Sequence, residues 1–202
     1  MSNNVTIESI RKPQIIEAAL QTIARKGFQN VTLDEVARAA GLSKGGLIHY
    51  FPSKDALITE AFIEFFAGIF QRGREARDQV GDPLEKVLSF TWLYNWEDPE
   101  ILVGYRLFFD FMALASQDEL FRGLFHDWVE NWIVLLREPI AEGLAKGFFK
   151  EKDVELTART VSAIYQGIAA RWYLDRETHS TGWAVDSLRR AVTLLLTGEQ
   201  GK

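Results

Sequence analysis

Apolar positions recur at helical spacing along nearly the whole chain, and no stretch sustains the period-two alternation of a half-buried strand. The spacing predicts a first helix over 13–26, with Ile16, Ala19, Leu20 and Ile23 on one face. Pro13 falls in its first turn, where a missing N–H is tolerated. Gly27 is the expected left-handed stop, with Phe28 folding back on the last turn. Thr32 and Glu35 make a capping box for a shorter helix over 33–40, which Gly41 ends. Ser43 caps a third helix from Lys44 to about Tyr50, and Pro52 breaks the run.

Ser53 then caps a long fourth helix to about residue 76, striped by Ile58, Phe62, Phe65, Phe66, Ile69 and Phe70. Asp82-Pro83-x-Glu85 supplies a cap, a first-turn proline and an acid, and Asp98-Pro99 repeats the logic. A helix over about 117–147 contains Pro139, which predicts a kink or break. Asp153 caps a helix to about residue 177, and a last helix over 183–196 ends at Gly198. The expected fold class is all-α, with nine or ten helices. An N-terminal three-helix domain over 8–54 precedes a larger helical domain over 55–202.

The stretch GLSKGGLIHYF, residues 41–51, joins two short helices through Gly41-Leu42-Ser43, the layout of a helix-turn-helix. In that motif the second helix enters the major groove of DNA. Gly45 and Gly46 would strip bulk from its leading end, with Leu47 and Phe51 as inward anchors; alternatively, the pair is only a turn. Charge favours the first reading locally. The chain carries a net charge of −5, yet residues 1–55 hold seven Lys/Arg against five Asp/Glu. A nucleic-acid contact is therefore confined to this head.

Residues 11–58, RKPQIIEAALQTIARKGFQNVTLDEVARAAGLSKGGLIHYFPSKDALI, resemble the DNA-binding domain of the TetR family of transcriptional repressors. The resemblance is close over this quarter of the chain; length and helix number agree over the rest. It implies base contacts from Lys44, Gly45 and Ile48 and phosphate contacts from Gly46, His49, Tyr50 and Lys54. Two positions depart from the common pattern. Gly46 lacks the hydroxyl that many members carry there, and Ile48 offers only apolar contact where many have Tyr. Lys44 thus becomes the leading candidate for hydrogen-bonded base readout. The resemblance also implies a homodimer through the last two helices, a palindromic operator, and release by a small effector bound between the fourth and eighth helices. The apolar faces of those two helices could close the core of one chain or meet a second subunit; with the resemblance, Ile168, Trp172, Leu188, Val192 and Leu195 become the expected dimer contacts.

The body is rich in rings: all six Trp lie beyond residue 90, and twelve of fourteen Phe beyond residue 60. Phe66, Trp92, Trp96, Phe108, Phe109, Phe111, Met112, Phe125, Trp128, Trp132 and Tyr165 are candidates to line a pocket for a lipophilic ligand, or to form a plain aromatic core. Asp110, Asp127 and Glu130 stand among these rings. They suit a cationic ligand through cation–π contact, or else face solvent or pair with Arg106, Arg122 and Arg137. The absence of cysteine excludes disulfides and thiolate chemistry. His126 and Glu130 at i, i+4 are too few for a metal site, so neither metal nor cofactor is expected. No phosphate-loop, dinucleotide or nucleophile-elbow pattern occurs, which disfavours an enzyme. With no signal peptide and no long apolar run, a cytoplasmic protein without membrane attachment is expected. The alternative is a helical small-molecule-binding protein or enzyme that does not bind DNA.

Overall fold

In the computed structural model, which describes residues 7–150 and 153–198, helix starts fall where the sequence supplies a short polar cap. The described residues form nine α-helices and no strand. They are α1 (Ile7–Lys26), α2 (Leu33–Ala39), α3 (Lys44–Tyr50), α4 (Lys54–Asp78), α5 (Pro83–Leu88), α6 (Pro99–Ala115), α7 (Glu119–Ala145), α8 (Val154–Leu174) and α9 (Thr181–Thr197). Two 3-10 segments, Phe28–Asn30 and Ser89–Leu93, join them. The Glu35 N–H donates to Thr32 Oγ1 and the Thr32 N–H donates back to the Glu35 carboxylate, completing the capping box. Ser43, Ser53, Asp82, Asp153 and Ser180 each accept an amide at the start of α3, α4, α5, α8 and α9. Such a cap contributes about 1 kcal/mol.

The starts of α1 and α9 move, α8 ends at Leu174 rather than near 177, and a break expected in α7 does not occur. Helix α1 begins at Ile7, so Pro13 lies inside it, exposed, and removes a single backbone bond. Helix α9 starts at Thr181, two residues earlier than expected, because the Ser180 hydroxyl accepts the Trp183 N–H and caps it there. Helix α7 runs through Pro139 without a break. Burial of Ile133, Leu136 and Ile140, each fully inaccessible, offsets the roughly 3 kcal/mol that an interior proline costs.

The chain divides into two compact units, one holding the residues to Gly68 with Val103–Phe125, the other Ile69–Leu102 with His126–Lys202. By contact the first unit thus extends past residue 54 and takes in parts of α6 and α7. Its core joins Ile15, Ala19 and Ile23 of α1, Val36 of α2, Leu47 of α3, and Leu57, Ile58 and Phe62 of α4. The Phe62 ring lies 5.1 Å from Phe111 and 6.3 Å from Phe121.

The second unit is built on α8 packed along α9, with Val161, Trp172, Leu188, Val192 and Leu196 wholly buried. Two of its buried phenols are paired. The Tyr165 hydroxyl donates to the Val87 carbonyl at 2.8 Å, and the Tyr94 hydroxyl to the Tyr165 carbonyl at 3.2 Å. Burial pushes the Tyr165 phenol far above its ordinary range, so it stays a neutral donor. Arg189 of α9 holds Glu85 of α5 through two bonds, of 2.7 and 3.0 Å.

Candidate nucleic-acid interface

The turn between α2 and α3 is fixed by backbone geometry. Gly41 takes φ 68°, a region closed to most residues, and the Leu42 N–H returns to the Ala37 carbonyl at 2.8 Å. The Ser43 hydroxyl then accepts the Gly46 N–H at 3.1 Å, starting α3. Leu47 and Phe51, at 0 and 1 % exposure, pin the helix from beneath. Burying such side chains contributes roughly 1.5–3 kcal/mol each. The opposite face is open: Lys44, Gly45, Ile48 and His49 are exposed and Tyr50 half-buried. Among the described residues, nothing outside α3's own backbone and Gly45's chain neighbours stands within 4 Å of where a Gly45 side chain would begin.

Several expected contact residues are placed differently from a free clamp. The Gly46 N–H, the group left for phosphate at that position, is taken by Ser43. Lys44 pairs with Asp34 at 2.9 Å, both ends exposed, so the ammonium is aimed by α2 rather than swinging freely. Lys54 does not project outward. Its ammonium donates to the Phe28 carbonyl at 2.9 Å and sits 4.4 Å from that ring's centre, and burial lowers its pKa. The His49 ring meets Tyr50 edge-on at 5.4 Å.

Phe28 is gripped from several sides within the first unit. Its N–H donates to Asp110 Oδ2 of α6 at 2.9 Å, its carbonyl accepts Lys54 of α4, and its ring stands edge-on to Phe121 of α7 at 6.2 Å. Arg106, one turn from Asp110, donates to the Ala24 carbonyl at 2.5 Å and so caps the end of α1. From the sequence Asp110 is an acid amid rings, expected to meet a ligand, solvent or a nearby arginine. The signal was its place in an apolar run; the partner, a backbone amide 82 residues away, leaves no local trace. Asp110→Ala strands that amide and is expected to destabilise the protein by about 1–3 kcal/mol in urea denaturation, with Asp110→Asn restoring most of the loss.

Glu35 carries a second testable charge. The Lys26 ammonium bonded to it, with the Thr32 amide and hydroxyl, holds its carboxyl at about 2 against an ordinary 4.5. A depressed acid stabilises fully above its unfolded pKa, and that contribution fades as pH falls from about 4.5 and is gone below about 2. Glu35→Gln should therefore lower the urea midpoint at pH 7 and make a much smaller difference at pH 2.5.

The pocket candidates fall into two groups. In the first unit Phe66 meets Phe108 and Phe111, which meets Phe125, while Phe108 touches Phe109; Met112 is 39 % exposed. In the second, Trp132 stacks edge-on with Trp128 and Phe90, and Phe90 with Tyr165. Trp92 lies under Arg72, and Trp96 against Trp172 and Tyr173. Of the acids, Glu130 pairs with Arg159 at 2.8 Å and Asp127 is exposed.

Three of the five residues expected at a dimer contact close the core of the single chain instead. Trp172, Leu188 and Val192 are completely buried within the single chain, where α8 and α9 pack on each other and α5 closes over α9. They have no surface to offer a partner. Ile168 and Leu195 remain half-buried, with Leu194 45 % and Leu156 60 % exposed on the same two helices. Among the described residues no helix is long and apolar enough to cross a membrane, and no cluster of three metal-ligating side chains occurs.

Residues 15–61 match the family of bacterial regulatory proteins called tetR, and residues 97–197 match the C-terminal domain of BetI-type transcriptional repressors. The chain belongs to the TetR family. A BetI transcriptional regulator of Stenotrophomonas maltophilia is 30 % identical over 150 residues, 70 % of this chain and 76 % of that protein. The repressor KstR2 of Mycobacterium tuberculosis is 27 % identical over 173 residues, 81 % of each. A transcriptional regulator from Saccharomonospora viridis, solved with choline, superposes with a TM-score of 0.79 at 22 % identity, over 89 % of this chain and 94 % of that one. This TetR-family chain is accordingly a DNA-binding transcriptional regulator of repressor type and not an enzyme, and α2–α3 is its helix-turn-helix.

Proposed function

We propose that the protein acts as a homodimeric repressor on a palindromic operator and is released when a small lipophilic ligand binds its helical body. One observation carries the reading: α3 is pinned by Leu47 and Phe51 while its Gly45–Ile48–His49 face is left bare. Lys44, steadied by Asp34, would read a base edge, Ile48 a thymine methyl, and His49 and Tyr50 the phosphates. Ile168 and Leu195, with Leu194 beside them, would supply the subunit contact. A two-fold dimer sets two α3 helices about 34–36 Å apart, one turn of DNA.

A ligand lowers operator affinity only by favouring a dimer whose recognition helices are wrongly spaced. Helix α4 is the proposed lever, since it starts at Lys54 under Phe28 and continues to Asp78. Helix α6 is a second one, through Asp110 and Arg106. Footprinting on DNA flanking its own gene, with and without lipophilic amines, acids and phenols, tests the whole. An inverted repeat protected at low salt and released by at least one class is expected; no protected segment would refute operator binding. The choline in the Saccharomonospora viridis relative places quaternary amines among the ligands to try.

A further inference from the structure

Two indole N–H groups of the second unit, those of Trp92 and Trp96, are buried and meet no hydrogen-bond acceptor among the described residues. Buried donors in native proteins are overwhelmingly paired, and an orphan calls for a reason. The same unit pairs a third indole without difficulty: Trp172 Nε1 donates to the Thr181 hydroxyl at 3.1 Å. Trp92 and Trp96 stand four residues apart around Tyr94, which is 1 % exposed and lies against Tyr165 and Trp172.

The rings are also already supplied with cations. The Arg72 guanidinium lies 4.2 Å from the centre of the Trp92 ring and is held there by Asp98 at 3.0 Å and Glu100 at 3.5 Å. Arg176 lies 4.5 Å from the centre of the Trp96 ring, which also meets Trp172 at 4.3 Å and Tyr173 at 5.9 Å. An aromatic cage for a quaternary ammonium needs bare ring faces and free acids. Here guanidinium groups occupy faces of both rings; of the two acids that stand among rings in this unit, Glu130 is neutralised by Arg159 and Asp127 is exposed.

We infer that Trp92 and Trp96 are the hydrogen-bonding edge of the effector site, and that the effector presents oxygen acceptors, as a carbonyl or carboxylate, on a lipophilic body. This rests on the reading of the protein as a ligand-released repressor. It excludes a choline-like effector at these two residues. Donors with no acceptor among the described residues and guanidinium groups on the ring faces both favour an oxygen-rich group and disfavour a cationic one.

Indole cross-peaks of the ¹⁵N-labelled full chain test it. Trp92→Phe and Trp96→Phe, which keep a ring and delete the N–H, assign the two peaks; if either fails to fold, backbone assignment of the parent chain serves instead. The probes are 2-naphthoate, 4-phenylbutanoate and octanoate, each beside its trimethylammonium counterpart, with 2-acetonaphthone separating carbonyl from carboxylate. At least one acceptor probe should move both indole protons downfield, and each Phe substitution should weaken that probe about three- to tenfold. Movement with the ammonium probes instead, no movement with any acceptor, or Phe variants that bind as tightly as the parent would overturn the inference. Operator binding is followed in parallel. Acceptor-induced shifts without operator release leave the site standing and defeat the release mechanism; release by an ammonium probe with unmoved indoles does the opposite.

Discussion

Replacing Gly45 with leucine is expected to leave the head folded, slightly more stable, and unable to hold its operator. Among the described residues nothing requires glycine there. Gly45 is not among the glycines with positive φ, it lies inside α3, and its missing side chain would meet open space. A helix-interior glycine is about 1 kcal/mol worse than a good helix former, so leucine should raise stability by roughly 0.5–1 kcal/mol. On DNA the sign reverses, because the added side chain occupies the gap through which the backbone of α3 approaches the groove. Operator affinity should fall to the non-specific level, roughly 10³-fold or more. Thermal unfolding and fluorescence anisotropy on the footprinted duplex measure the two halves. Gly45→Ala should show the same opposition at smaller size, whereas Ser43→Ala, which removes the cap of α3, should lose stability and affinity together. A Gly45→Leu protein that binds its operator normally would reduce the glycine pair to a poorly built helix.

The opposition of signs also explains which parts of the molecule were legible in the sequence. Caps are local events: Thr32–Glu35, Ser43, Asp82 and Asp153 each act on an amide within three residues, so their helices begin where the sequence says. Pro139 misleads because its cost is local while the gain that overrides it, the buried stripe of α7, is tertiary. The same divide runs through the site. The bare face of α3 follows from helical spacing around Leu47. Lys54 and Asp110 both converge on Phe28 from distant helices, and periodicity carries no information about such contacts. Helix faces posed the hardest case. Apolar residues on α8 and α9 point in several directions, and spacing alone does not separate those that close the monomer from those left for a partner.

Trp172→Ala is the substitution on which that separation turns. The side chain is wholly buried in one chain, set against Trp96 and Tyr94, with its N–H on Thr181. Truncating such a residue removes its transfer free energy and leaves a cavity, together costing about 3–5 kcal/mol. That is a large share of the 5–15 kcal/mol by which domains are stable. The urea midpoint should fall accordingly, yet whatever fraction remains folded should sediment with the subunit stoichiometry of the parent. Leu195→Glu should behave the other way. Its half-buried side chain is proposed to face the second subunit, so the charge should shift sedimentation toward the monomer in a concentration-dependent manner, as mass action requires. If instead Trp172→Ala dissociated the subunits while each kept its stability, the residue would belong to the interface after all, and the packing of α8 on α9 would have to open in the dimer.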